Sequence, residues 1–161
     1  MTKAVLALGA NLGDPVAAVH GAMEALDQAE GVQVVARSSL YVTDPVGGPD
    51  QPRFINAVVV VETSLSPLQL LECALEIEQQ WHRTREVHWG PRTLDIDVID
   101  IPGVLMDTTT LTLPHPRAAE RAFVLVPWLE IDPTAHLTGL GPINALMQDI
   151  DRSGIEPMDE L

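Results

Sequence analysis

Two carboxylates spaced two residues apart, Asp95 and Asp97, lie in the stretch Trp89-Gly90-Pro91-Arg92-Thr93-Leu94-Asp95-Ile96-Asp97-Val98-Ile99. If residues 93–101 form a strand, both acids project from one face while Leu94, Ile96 and Val98 project from the other. Neighbouring carboxylates repel unless a cation lies between them. Hard oxygen ligands in this pattern suit Mg²⁺, which takes one or two carboxylates plus substrate phosphates and water. A bare Asp-x-Asp also describes a solvated acidic face, and Asp100 carries acid further along the same strand. The arginines separate the two readings. Arg83, Arg85 and Arg92 precede the pair and Arg117 and Arg121 follow it, so residues 83–121 carry a net charge of −1 against −13 for the rest. Arginine forks beside a carboxylate-held Mg²⁺ are what phosphoryl transfer requires, because that reaction is mostly positioning and charge neutralisation.

Glu78 falls in the last turns of a predicted helix, where a negative charge meets the unfavourable end of the dipole. An acceptor for a ligand hydroxyl would explain it, and so would an ordinary exposed glutamate. His115 is held extended between Pro114 and Pro116, and Phe54 and Phe123 are the only phenylalanines. By default each ring is core, but Phe54 follows a long loop and is placed to stack on a flat ligand. The turn Gly9-Ala10-Asn11-Leu12-Gly13 lacks a Gly-Lys-Ser/Thr ending and the G-x-G-x-x-G spacing, so it reads as a strand-to-helix turn and not a phosphate loop. Nothing supports a serine or cysteine nucleophile: no Gly-x-Ser-x-Gly occurs, and the one cysteine, Cys73, sits in a predicted helix.

The elements that must position these groups follow from periodicity and punctuation. Residues 3–8 are a short apolar run that reads as a buried strand. Asp14-Pro15 and Ser66-Pro67 are helix starts, with an N-cap before a first-turn proline. Behind them Val16, Val19, Met23 and Leu26 share one face, as do Leu70, Ala74, Ile77 and Trp81. Residues 32–42 are one bent strand or a pair, broken at Ser38-Ser39; 44–53, with three prolines and two glycines, are a long loop. A strand resumes over 54–63, where five consecutive apolar residues from Ala57 to Val61 predict burial on both faces. Strand, helix, strand, strand, helix, strand is the ferredoxin-like βαββαβ order, an α+β fold with two helices on an antiparallel sheet. Short helices are expected near 117–131 and 142–150, a short strand near 111–113, and a frayed acidic tail over 156–161. The whole of 1–161 reads as one domain.

Composition sets outer bounds. A chain of 161 residues with 46% hydrophobic and 20% charged residues is not intrinsically disordered, despite a net charge of −14. That charge disfavours nucleic acid and anionic membranes as partners, since both demand a basic surface. A single cysteine forbids an internal disulfide, and no long apolar run or signal-peptide pattern is present, so a soluble cytoplasmic protein is expected.

The central stretch closely resembles that of the 6-hydroxymethyl-7,8-dihydropterin pyrophosphokinases of folate biosynthesis. The likeness extends to Leu8-Gly9-Ala10-Asn11-Leu12-Gly13-Asp14, to Asp50-Gln51-Pro52 before Phe54-Ile55-Asn56-Ala57, and to Leu113-Pro114-His115-Pro116 with Arg121 and Phe123. The resemblance implies a monomer that transfers pyrophosphate from ATP to the pterin hydroxymethyl group, releasing AMP. It implies that Asp95 and Asp97 hold two Mg²⁺ ions, Asp95 also meeting the pterin alcohol, with Arg83 and Arg92 as catalytic partners. Arg83, Arg85, Trp89, Arg92, His115 and Arg121 would contact ATP, Glu78 its ribose, and the backbone at Val98 its adenine. The pterin would lie between Phe54 and Phe123, its edge read by Asn56 and by the backbone of Thr43, Pro45 and Val46. His88, Thr110 and Pro116 depart from residues usual in the family, and the loop before Trp89 is one residue shorter. Two other readings stay open from the residues alone. One is a ferredoxin-like module that binds a nucleotide without reaction; the other is an acylphosphatase-type hydrolase, which would leave the Asp95/Asp97 pair unexplained.

Overall fold

The computed structural model of the chain describes residues 1–44, 52–81 and 94–158. Along it run β1 (Thr2–Ala10), α1 (Pro15–Gln28), β2 (Val32–Arg37), β3 (Tyr41–Thr43), β4 (Phe54–Thr63), α2 (Pro67–Trp81) and β5 (Asp95–Asp100). Then follow β6 (Met106–Asp107), β7 (Thr112–Leu113), α3 (Ala122–Ile131), β8 (His136–Leu137), β9 (Gly141–Pro142), α4 (Ile143–Leu146) and β10 (Ile155–Pro157). The fold is α+β, built on an antiparallel sheet.

Among the described residues the main sheet has the order β10-β3-β4-β1-β5, with β2 also pairing to β4. β2 faces the C-terminal half of β4 and β3 faces its start, so the two continue one another along the same edge. Ser38 joins them: its N–H donates to the Val58 carbonyl at 2.9 Å and its Oγ accepts from the Val58 N–H at 2.9 Å. The polar break is thus a bend within one strand path. β6 with β7, and β8 with β9, form two small separate pairs.

Burial follows the two-residue alternation. Leu6 and Leu8 of β1 and Val59 and Val61 of β4 pack beneath Met23 and Leu26 of α1 and Leu70 and Ile77 of α2. On the opposite face Val5, Ala7, Val58 and Val60 meet Val124, Leu125 and Trp128 of α3. The valine run is therefore buried on both sides, each such side chain stabilising the fold by about 1.5–3 kcal/mol. Both helix starts form as their sequences require. Asp14 Oδ1 accepts the Ala17 N–H at 3.1 Å; the Ser66 Oγ accepts the Gln69 N–H at 3.2 Å while Gln69 Oε1 accepts the Ser66 N–H at 2.9 Å, a reciprocal cap. Gly21 permits Trp81, at the end of α2, to lie directly against α1, where a Cβ would collide with its ring.

One expectation is corrected. The tail does not fray from residue 156: Glu156 and Pro157 belong to β10, which pairs with β3, and the Met158 N–H donates to the Leu40 carbonyl at 2.9 Å. Residues 159–161 lie outside the described residues. Asp100 is buried, at 1% exposure, and a register shift between the Val5 and Leu6 pairings sets it opposite Val5. There Oδ1 accepts the Thr138 N–H at 3.1 Å, and Oδ2 has no hydrogen-bond partner among the described residues.

Burial pushes the Asp100 carboxyl above the usual carboxylate range, against a smaller opposing effect of the bonds from Thr138. With the folded value raised, stability falls as pH climbs above the unfolded value of 3.8, because the unfolded chain ionises first. Asp100→Asn is expected to gain on the wild type as pH rises from the acid end to 7. Urea melts between pH 3 and 7 check this: the gap between the two proteins should open as pH rises and vanish at the acid end.

Candidate active site

One end of the main sheet, on the α3 side, opens into a cleft of about 460 Å³. Asp95 and Asp97 reach it from β5, and Ala7 and Gly9 of β1 form its floor. The expected alternation on β5 holds, with Leu94, Ile96 and Val98 buried in the opposite layer. Phe54 from the start of β4 and Phe123 from the first turn of α3 line the same cleft. Arg121 lines it too, its guanidinium 5.3 Å from the Phe123 ring centroid, a cation–π distance.

Asn56 is held between strands. The Thr43 hydroxyl donates to Asn56 Oδ1 at 2.6 Å, and Asn56 Nδ2 donates to the Leu8 carbonyl at 3.4 Å. Gly9 is required opposite it, since a Cβ there would stand 2.7 Å from Asn56 Nδ2. The buried amide is thereby fixed at the cleft with a defined orientation. This suits it to reading the edge of a flat heterocycle.

A second, smaller hollow lies along the outer edge of β5, lined by Val98, Asp97, Thr110, Leu111, His115 and Pro116 among others. Asp97 lines both spaces and so marks where they meet. Glu78 has a structural partner: its Oε2 accepts the Ile96 N–H at 2.7 Å, so this N–H faces outward, away from β1. Backbone direction repeats every two residues, so the N–H and carbonyl of Val98 face outward as well.

His115 is tied to the same outer edge of β5, its N–H donating to the Ile99 carbonyl at 2.8 Å. Its Nδ1 accepts the Arg117 N–H at 3.2 Å, which puts the proton of a neutral ring on Nε2. Burial, and then the guanidinium groups of Arg121 and Arg117, hold the imidazole below its ordinary value of 6.5. At pH 7 it is a neutral donor. Cys73 is half-buried and its thiol is pushed up by burial, consistent with no nucleophilic role.

Of the residues named from the sequence, Thr43, Phe54, Asn56, Asp95, Asp97, Arg121 and Phe123 converge on the larger cleft, and Val98 and His115 on the smaller. Pro45, Val46, Arg83, Arg85, Trp89 and Arg92 lie outside the described residues. Sequence reasoning missed the wall made by Asp44 with Ser153, Gly154 and Ile155. The Ser-Gly pair was a turn signal, but nothing local says that its strand returns to β3. Asp95 and Asp97 supply only oxygen, and no group of three or more His, Cys, Asp or Glu gathers as a metal cage among the described residues. Such a donor set fits Mg²⁺ completed by phosphate oxygens and water.

A family model described as 7,8-dihydro-6-hydroxymethylpterin-pyrophosphokinase (HPPK) matches residues 5–133. The chain belongs to the HPPK family. It is similar to the 2-amino-4-hydroxy-6-hydroxymethyldihydropteridine pyrophosphokinase of Methylorubrum extorquens, with 46% identity over 159 residues, 99% of this chain and 100% of the relative. The enzyme of the same description from Bacillus subtilis is 47% identical over 128 residues, 80% of this chain and 77% of its own. Among solved structures, wild-type Plasmodium falciparum HPPK-DHPS with pteroate has a TM-score of 0.70 at 16% identity, over 91% of this chain. This chain spans 42% of that longer protein, and the likeness is one of fold. As an HPPK, the chain is an ATP-dependent pyrophosphokinase of folate biosynthesis. Two of the residues that depart from the HPPK pattern, Thr110 and Pro116, line the smaller hollow.

Proposed function

We propose that the pyrophosphokinase reaction runs across Asp97, with the pterin alcohol in the larger cleft and ATP along the outer edge of β5. The observation that carries this is the position of Asp97 on the boundary of both spaces. The pterin ring stacks between Phe54 and Phe123, and Asn56 reads its polar edge beside the backbone of Thr43; Pro45 and Val46 are assigned to the same role by family resemblance alone. Its hydroxymethyl arm then points toward β5. Adenine lies in the smaller hollow and pairs with the outward backbone of Val98. The ribose lies near Glu78, which the Ile96 N–H already orients.

The alcohol oxygen attacks the β-phosphorus of ATP, the bond from that phosphorus to the oxygen bridging the α-phosphate breaks, and AMP leaves as the hydroxyl proton is released. Asp95 and Asp97 are the residues that would hold Mg²⁺, two ions in this reading. When bound there, Mg²⁺ would supply neutralisation of the phosphate charge. His115 donates through Nε2 to a phosphate oxygen, and Arg121 supplies a fixed positive charge, steadied by the Phe123 ring. Arg83, Arg85, Trp89 and Arg92 are assigned to the phosphates and the nucleotide by family resemblance.

A cytoplasmic monomer and a ferredoxin-like core complete the reading. The strand order, with β2 and β3 taken as one strand, supports the latter. None of the described helices is long and apolar enough to cross a membrane. The direct test is to incubate the protein with ATP, Mg²⁺ and 6-hydroxymethyl-7,8-dihydropterin and follow AMP. AMP should form in step with pterin diphosphate, and only when the alcohol is present. AMP without alcohol, or inorganic phosphate in its place, would overturn the assignment.

A further inference from the structure

The larger cleft extends past the pterin position, under β3 and β10, to the opposite end of the sheet from Asp95 and Asp97. Four strand spacings separate β5 from β10, about 19 Å. One guanidinium organises that far end. Arg53 Nε lies 2.9 Å from Asp44 Oδ1, and its Nη1 lies 3.0 Å from Glu156 Oε1. Asp44 directly follows β3, Arg53 directly precedes β4, and Glu156 is the middle residue of β10, opposite Val42. The same corner is packed closely. The Asp44 N–H donates to the Gly154 carbonyl at 2.8 Å, and a Cβ on Gly154, whose φ is +79°, would stand 2.8 Å from Asp44 Oδ2.

We propose that Arg53 is a positioning residue for the pterin end of the site, and that the C-terminal strand it secures is a wall for the alcohol substrate and not for the nucleotide. This rests on the placement of the pterin between Phe54 and Phe123. Without the guanidinium, Asp44 and Glu156 are two acids facing one another with no cation between them, so β10 and the end of β3 are pushed apart. Asp44, Gly154 and Ile155 line the cleft and move with them. The three charged side chains are largely exposed, so their removal costs little global stability and the consequence is local. The nucleotide hollow, on the far edge of β5, is untouched.

The test is steady-state kinetics with 6-hydroxymethyl-7,8-dihydropterin and MgATP, alongside thermal melts. Arg53→Ala should raise the KM for the pterin about five-fold, with the KM for ATP and kcat within two-fold. Arg53→Lys, which can satisfy one carboxylate but not both with a fork, should fall between. Gly154→Val, which disturbs the same corner without changing charge, should give the same split. In 0.5 M NaCl, which screens both the ion pairs and the acid–acid repulsion, the wild type and Arg53→Ala should converge. Equal rises in both KM values, or no change in the pterin KM for Arg53→Ala in a normally melting protein, would overturn the proposal. Phe54→Ala serves as the control for the underlying placement. If it raises the pterin KM and Arg53→Ala does not, the role of Arg53 fails alone; if Phe54→Ala does nothing, the pterin placement itself is wrong.

Discussion

Replacing Asp97 with alanine is expected to lower kcat by about a thousand-fold or more, on the order of 4 kcal/mol of transition-state stabilisation, with the melting temperature nearly unchanged. The two halves of that statement come from different sides of one strand. The packing contribution of β5 is made by Ile96 and Val98, which are 3% exposed in the layer beneath α1 and α2. Asp97 projects the other way, half-buried, between the alcohol cleft and the nucleotide hollow. Removing its carboxylate takes nothing from the core and takes the negative charge from the point where the phosphates must be held. Asp97→Asn, which keeps the shape, should fall nearly as far, because the charge and not the volume is what a cation needs. Rates of AMP formation with paired melting curves decide the matter. Turnover at the wild-type level in either variant would remove Asp97 from the metal site, and a large loss of melting temperature would make it structural.

The second large effect is expected at Phe54. Alanine there should weaken pterin binding by about 10- to 100-fold, the range for loss of one aromatic stacking face, and leave ATP binding within a few-fold. Phe54 is only half-buried at the mouth of β4, so the ring contributes less to folding than the fully buried residues that follow it. Its partner Phe123 stands on α3 with Arg121 over its face. The proposed sandwich would therefore have one strand-borne and one helix-borne ring. Titration of each ligand separately, by calorimetry, measures the two affinities. A variant that loses ATP more than pterin would move the stacking role away from Phe54.

Much of this architecture is written in local signals. Asp14-Pro15, Ser66-Pro67 and the valine run each fix an element by short-range chemistry, and the β4 bounds fall where the apolar pattern starts and stops. The acid pair was legible because a strand has a two-residue period, so Asp95 and Asp97 share a face whatever the strand packs against. The surroundings of Asp100 do not follow from that period, because a register shift, which depends on how β1 and β5 fit together, sets it opposite Val5. The C-terminal wall was illegible because it is long-range. Nothing in Ser153-Gly154-Ile155 specifies that it will lie beside Thr43, more than a hundred residues earlier. The partner of Glu78 also depends on tertiary packing, since the N–H of Ile96 comes within reach only once α2 has docked beside β5.

The outer strands of the sheet carry a consequence for behaviour at high concentration. A core strand as apolar and valine-rich as β4 is adhesive, and a sheet with open edges invites another chain to add on. Two of the outer strands, β5 and β10, resist that. On β5 the Ile96 N–H is already taken by Glu78 and the Ile99 carbonyl by His115, so part of the edge ladder is occupied. On β10 an incoming strand meets Glu156 and then Pro157, which has no N–H to offer. An added strand would therefore find few free backbone partners on either of these two strands, and this favours a protein that stays dispersed when concentrated.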